Sequence, residues 1–148
     1  LLGWTAARGR IEWPAIALFG ILFVWQFPHF MAISWMYRDD YAKAGIRMLP
    51  VVQPDGFSTV VEALFYAVLM IPVSLAPWWL GITGATYAVI ASLLGLVYLG
   101  YTIRFAGILR TKSAAESRML ARDLLKISVM YLPLLMTTLM LCAIARQR

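Results

Sequence analysis

The chain has 148 residues, of which 62% are hydrophobic and 14% charged, with a net charge of +6 and a mean hydropathy of +0.78. That is too apolar for an ordinary soluble domain, and its charges cluster between long uncharged runs, so the composition describes an all-α integral membrane protein. A disulfide framework and a thiolate metal site are excluded by the single cysteine, Cys142, which sits inside an apolar run as a packing residue.

The chain starts abruptly at Leu1-Leu2-Gly3-Trp4 with no basic leader and no cleavage site, and reads as a fragment whose upstream part is missing. Residues 1–12 read as a short polar loop, with Trp4 and Trp13 suited to a membrane interface. A first span is expected near 14–37, opened by Pro14 at its first turn, where a missing N–H costs nothing. If helix persists to Gly45, it has about 31 residues and is about 46 Å long, so its last two turns project beyond the roughly 30 Å hydrocarbon core. Those turns carry Arg38-Asp39-Asp40-Tyr41. Two adjacent carboxylates at a helix C-terminus repel each other and oppose the dipole. Arg38 and Lys43 relieve part of this, and a divalent cation would relieve far more.

Pro54-Asp55-Gly56 is a turn signal, and Thr59-Val60-Val61-Glu62 matches a capping box opening a second span near 60–81. Gly81-Ile82-Thr83-Gly84 separates it from a third span near 84–106. Pro72 and Pro77 are expected to kink the second span. Ser113-Ala114-Ala115-Glu116 is another capping box, from which a helix can run unbroken into the last span near 124–145. Along it Arg118, Arg122 and Lys126 recur every four residues and share one face. No internal repeat or second domain is visible, so residues 1–148 read as part of a single transmembrane domain.

Four spans put the 38–59 and 107–126 loops on one side. That side holds nine bases, Arg38, Lys43, Arg47, Arg104, Arg110, Lys112, Arg118, Arg122 and Lys126, against Arg8, Arg10, Arg146 and Arg148 opposite. The positive-inside rule makes the Asp39-Asp40 side cytoplasmic, and membrane sidedness accounts for the basic surplus without a nucleic-acid partner. Two carboxylates and a ring of bases at the mouths of apolar helices suit magnesium bridging Asp39 and Asp40 to a diphosphate, with a lipid tail held below. Arg38, Lys43, Arg104, Arg122 and Lys126 are the candidate diphosphate contacts; positive-inside bias and anionic lipids explain such bases equally well. His29, the only histidine, lies at membrane depth, about 16 Å below Asp40 on nearly the same helix face. It is either a functional ligand or a neutral side chain bonded to Gln26 or to another helix.

The stretch WQFPHFMAISWMYRDDYAKAGIRMLPVV resembles the region of the second aspartate motif in the UbiA-type intramembrane prenyltransferases, within them the protohaem IX farnesyltransferases (haem O synthases). LLGWTAARG resembles the loop before that helix and ARDLLKISVMYLPLL the family's last helix; the likeness is loosest across 57–103. The resemblance implies a nine-helix bundle, of which this chain would be helices six to nine, in a bacterial inner membrane. It implies magnesium-assisted ionisation of farnesyl diphosphate and attack of a haem b vinyl group on the allylic cation, with haem A synthase or terminal oxidase assembly as neighbours. By the same resemblance Asp40 takes the metal role with Asp39 in support, and His29 contacts haem. Asp40 is followed four residues on by Ala44 where relatives carry a second aspartate, and Arg47 stands where the family commonly has proline. The first aspartate-rich motif is absent from these residues, so they are expected to be inactive by themselves. A quinone-pathway prenyltransferase is the alternative enzyme. A transporter or non-catalytic membrane subunit is the alternative of another class, and leaves the aspartate pair idle.

Overall fold

The long uncharged runs become four long helices in the computed structural model, which describes residues 2–147 and the side chains of residues 3–146. Leu1 and Arg148, the latter one of the four bases assigned to the non-cytoplasmic side, lie outside the described residues. The elements are α1 (Leu2–Arg8), α2 (Trp13–Met36), α3 (Arg38–Lys43), α4 (Leu49–Val52), α5 (Phe57–Trp79), α6 (Ala85–Phe105), a 3-10 turn at Ala106–Leu109, and α7 (Ala114–Gln147). The helices α2, α5, α6 and α7 are long and apolar enough to cross a membrane, and the protein is an integral membrane protein.

These four form a ring: α2 packs on α5, α5 on α6, α6 on α7, and α7 returns to α2. Each neighbouring pair is antiparallel. Along the first seam Gly20 meets Val73, Phe27 stacks on Tyr66 and Gly56 abuts Trp35. On the closing seam Trp25 and His29 meet Ser128 while Asp39 meets Arg118. Small residues permit this close approach. Ala32, Ala63, Ala67 and Ala91 are fully buried, and a Cβ on Gly95 would lie 3.2 Å from Ile71 Cγ1. Large apolar side chains such as Phe19, Phe65, Leu93 and Met140 point outward, as a lipid-facing surface requires. At the centre Tyr98 and Tyr131 stack at 4.9 Å, and the Tyr98 hydroxyl donates across the ring to the Trp25 carbonyl at 3.3 Å. Pro28 lies in the same stretch of α2 and cannot donate to the carbonyl of Val24, four residues back.

Several local expectations need correction. Residues 1–12 are not a polar loop throughout, because α1 occupies Leu2–Arg8; its end is tied down where Trp4 Nε1 donates to Glu12 at 3.2 Å. Helix does not persist through to Gly45. It breaks at Tyr37 (φ −106°, ψ 18°), so Asp39 and Asp40 lie in the first turn of the short helix α3, where the backbone N–H groups favour negative charge. Gly45 still ends the segment in the left-handed conformation, at φ 71°. The Thr59 capping box does not form: α5 begins earlier, at Phe57, whose N–H is taken by Asp55 Oδ1 at 3.1 Å, and Thr59 is fully buried. Gly56 precedes it at φ 78°, as the Pro-Asp-Gly turn signal requires. Half of the Ser113 box is present. Ser113 Oγ accepts from the Glu116 N–H at 3.3 Å, while the Glu116 carboxylate takes the Thr111 hydroxyl instead.

The last helix runs unbroken through all 34 residues of α7, about 51 Å. This overshoots the hydrocarbon core by about 20 Å, so its first turns, with Arg118 and Arg122, stand among or beyond the headgroups. The loops joining α2 to α5 and α6 to α7 lie at one end of the ring, where Gly56 approaches both Trp35 and Ile108. The α5–α6 turn and the end of α7 share the other end, where Arg146 donates to the Thr83 carbonyl.

Candidate site at the closing seam

The break at Tyr37 turns α3 towards the N-terminal turns of α7. Asp40, Arg118 and Arg122 thereby line one cavity of about 720 Å³ with Met36, Tyr37, Ala115 and Met119. Asp39 faces the same neighbour differently: its Oδ2 accepts from Arg118 at 2.7 Å, and its Oδ1 lies 3.8 Å from Arg38 Nε. Asp40 forms no ion pair among the described residues, so its carboxylate is available to an incoming cation. Two guanidiniums and one free carboxylate bordering one cavity suit an anionic group that arrives with a metal ion. Among the described residues no three His, Cys, Asp or Glu side chains gather into a metal cluster. Magnesium is commonly held by one or two carboxylates with phosphate oxygens and water completing the shell, so Asp40 fits as a partial ligand.

Not every base expected here reaches Asp40. Arg38 lies over the Trp35 ring at 4.3 Å and lines a separate polar cavity of about 270 Å³ with Asp55, Lys112 and Ser113. Arg104 lies 3.6 Å from Asp123 and packs over Tyr101. Lys43 and Lys126 are exposed and form no ion pair among the described residues. Arg122 does share the Asp40 cavity. Arg118 was not among the expected diphosphate contacts, although its spacing from Arg122 put both on one helix face.

Deeper along the same seam, His29 is half-buried. Its Nδ1 lies 2.8 Å from Ser128 Oγ on α7, and its ring stacks on Trp25 at 4.7 Å. Trp25 Nε1 donates to the Ser128 carbonyl at 2.8 Å, so two side chains of α2 meet one residue of α7. His29 is therefore bonded to another helix and not to Gln26. The partner Ser128 was missed because nothing local in a serine within an apolar run marks it out.

The sequence profile of the UbiA prenyltransferase family matches residues 1–130. Among curated proteins, the chain is 50% identical to a protoheme IX farnesyltransferase of Koribacter versatilis over 141 residues, 95% of this chain and 46% of that protein. It is 47% identical to one of Solibacter usitatus, covering 91% of this chain and 44% of that protein. It is 42% identical to one of Salinibacter ruber, covering 93% and 46%. The chain thus spans about half the length of the curated relatives it matches. No solved structure matches it significantly.

Proposed function

The chain belongs to the UbiA prenyltransferase family, and from that premise we propose that it is the C-terminal part of a farnesyltransferase acting on haem b. In this reading the whole protein is a nine-helix bundle, residues 1–148 supply helices six to nine of its single domain, and the product is haem O. The observation that carries the reading is the cavity shared by Asp40, Arg118 and Arg122 at one mouth of an apolar ring.

The chemistry asked of these residues is charge management. Breaking the allylic C–O bond leaves its electron pair on the diphosphate, and the haem vinyl π electrons then form the new C–C bond to the allylic carbon. The cation left on the vinyl carbon beside the macrocycle is taken by water, which loses a proton to give the hydroxyl of haem O. Arg118 and Arg122 hold the diphosphate by charge-assisted hydrogen bonds, which strengthen as negative charge builds on the leaving group. Magnesium, when bound, neutralises further diphosphate charge; Asp40 would hold it, together with ligands supplied by the rest of the protein. Asp39 supports this arrangement through its grip on Arg118. Of the remaining candidate bases, Arg38, Lys43, Arg104 and Lys126 act by raising the positive potential around the mouth. His29 faces haem from the wall of α2. The apolar interior takes the farnesyl tail and keeps water from the allylic cation.

The excess of bases at the Asp40 end supports a cytoplasmic position for that end, in a bacterial cell whose inner membrane holds the protein. The haem O product then passes to a haem A synthase or to terminal oxidase assembly. The test is haem O formation by the full-length protein in liposomes with magnesium, farnesyl diphosphate and haem b. Prenylation of a small aromatic acid in place of haem would overturn the haem assignment in favour of a quinone-pathway role. Haem affinity of folded His29→Ala equal to that of wild type would remove His29 from the haem contact.

A further inference from the structure

Ser128 is fully buried on α7, and its hydroxyl has two neighbours. It lies 2.7 Å from the Leu125 carbonyl oxygen and 2.8 Å from His29 Nδ1. A hydroxyl has one proton, and a carbonyl oxygen only accepts. The proton of Ser128 is therefore committed to Leu125, and towards His29 the same oxygen offers a lone pair. His29 Nδ1 must then carry the ring proton and donate it. In a neutral imidazole this leaves Nε2 bare, and among the described residues Nε2 has no hydrogen-bond partner. Stacking on Trp25 holds the ring plane, and the bond from Trp25 Nε1 to the Ser128 carbonyl holds α2 at the matching height on α7.

We propose that Ser128 is a positioning residue for His29. It locks the imidazole in the Nδ1–H tautomer, so that the Nε2 lone pair is the atom offered to a ligand. Resting on the reading that haem b is the substrate beside His29, that lone pair meets the haem iron. Histidines that ligate metals commonly give their other N–H to an oxygen acceptor, which fixes ring orientation and raises ligand basicity; losing that acceptor typically costs 10- to 100-fold in affinity. Ser128 stands where such an acceptor belongs. The serine-to-alanine change leaves the backbone carbonyl, and with it the Trp25 bond, in place, so the seam between α2 and α7 persists in the variant.

The experiment has two arms on the full-length protein in lipid bilayers. The first reads the His29 tautomer by solid-state nitrogen-15 NMR of histidine-labelled protein without haem, assigned by difference from His29→Gln. Wild type is expected to show a protonated Nδ1 and a bare Nε2. Ser128→Ala should lose that preference, and Ser128→Thr, which keeps a hydroxyl, should restore it. A protonated Nε2 in wild type, or a tautomer unchanged in Ser128→Ala, would overturn the proposal. The second arm titrates ferric haem b without farnesyl diphosphate and follows the Soret band. Ser128→Ala should bind about tenfold more weakly, with Ser128→Thr close to wild type. If the tautomer behaves as expected but wild type, Ser128→Ala and His29→Gln bind haem equally, the tautomer lock stands and the haem-contact reading of His29 falls.

Discussion

Asp39 and Asp40 are adjacent in sequence, yet the structure gives them different work, and that difference can be measured. Asp40 borders the cavity of Arg118 and Arg122 without an ion pair of its own among the described residues, whereas Asp39 is already committed to Arg118 at 2.7 Å. In the proposed reaction, Asp40→Asn removes a full charge from the place where a metal-bound diphosphate would leave. Loss of one preorganised group that stabilises transition-state charge costs about 100- to 1,000-fold in turnover. Asp39→Asn removes only the anchor of Arg118. That pair is 58% and 57% exposed, so solvent screens it and its worth is at most about 1 kcal/mol, or about fivefold in rate if the whole of it serves to place the guanidinium. Arg118→Ala should cost more than Asp39→Asn, and adding Asp39→Asn to Arg118→Ala should change nothing further, because Asp39 acts through Arg118. The assay is haem O formation from haem b and farnesyl diphosphate by the full-length enzyme across a magnesium titration. A silent Asp40→Asn would remove Asp40 from the mechanism. An Asp39→Asn defect as deep as that of Asp40→Asn, persisting without Arg118, would refute the division of labour and make Asp39 a direct ligand.

Gly56→Ala should lower the detergent-solubilised melting temperature strongly. It places a side chain at φ 78°, at about 1–2 kcal/mol, and drives a Cβ to 2.7 Å from the Trp35 ring, adding about 1–3 kcal/mol of overpacking; an unchanged melting temperature would mean that the turn refolds. Tyr98→Phe should cost about 0.5–1.5 kcal/mol in chemical unfolding by deleting the hydrogen bond to Trp25, and a neutral result would mean that another donor takes over that carbonyl. Single cysteines placed at Ser58 and Ser113 in a Cys142→Ala background should both react with impermeant reagent from the cytoplasmic side only, and labelling of either from outside would invert the proposed topology.

What was legible in the sequence was what is encoded locally. Uncharged runs mark spans because charge at membrane depth is expensive, and three of the four observed spans begin and end within a few residues of expectation. The fourth includes the expected segment in a longer helix, as the Ser113 signal allowed. Gly45 and Gly56 mark turns because only glycine adopts those conformations freely. The misreadings share a cause. Thr59 looked like a cap, but tertiary packing draws it into the core and lets α5 start at Phe57. Tyr37 carries no helix-breaking signature, so the break that redirects Asp40 was invisible. The grouping of Arg118 and Arg122 with Asp40, and of Ser128 with His29, joins distant positions: Asp39 and Arg118, whose contact lies beside the first group, are 79 residues apart, and His29 and Ser128 are 99 apart. No periodicity within one helix encodes such a meeting.

The closed order of the ring also has a consequence for how the protein is made. Three of its seams join helices that leave the ribosome consecutively, but the seam between α2 and α7 joins the first of these four long helices to the fourth. Trp25 with Ser128, His29 with Ser128, Asp39 with Arg118 and the cavity at Asp40 all lie on that late seam. Until α7 has been inserted, the basic wall of the cavity and the partner of the imidazole do not exist. A nascent chain in which α7 has not yet been inserted therefore holds Asp40 and His29 without these partners, and the seam forms only once α7 joins the ring.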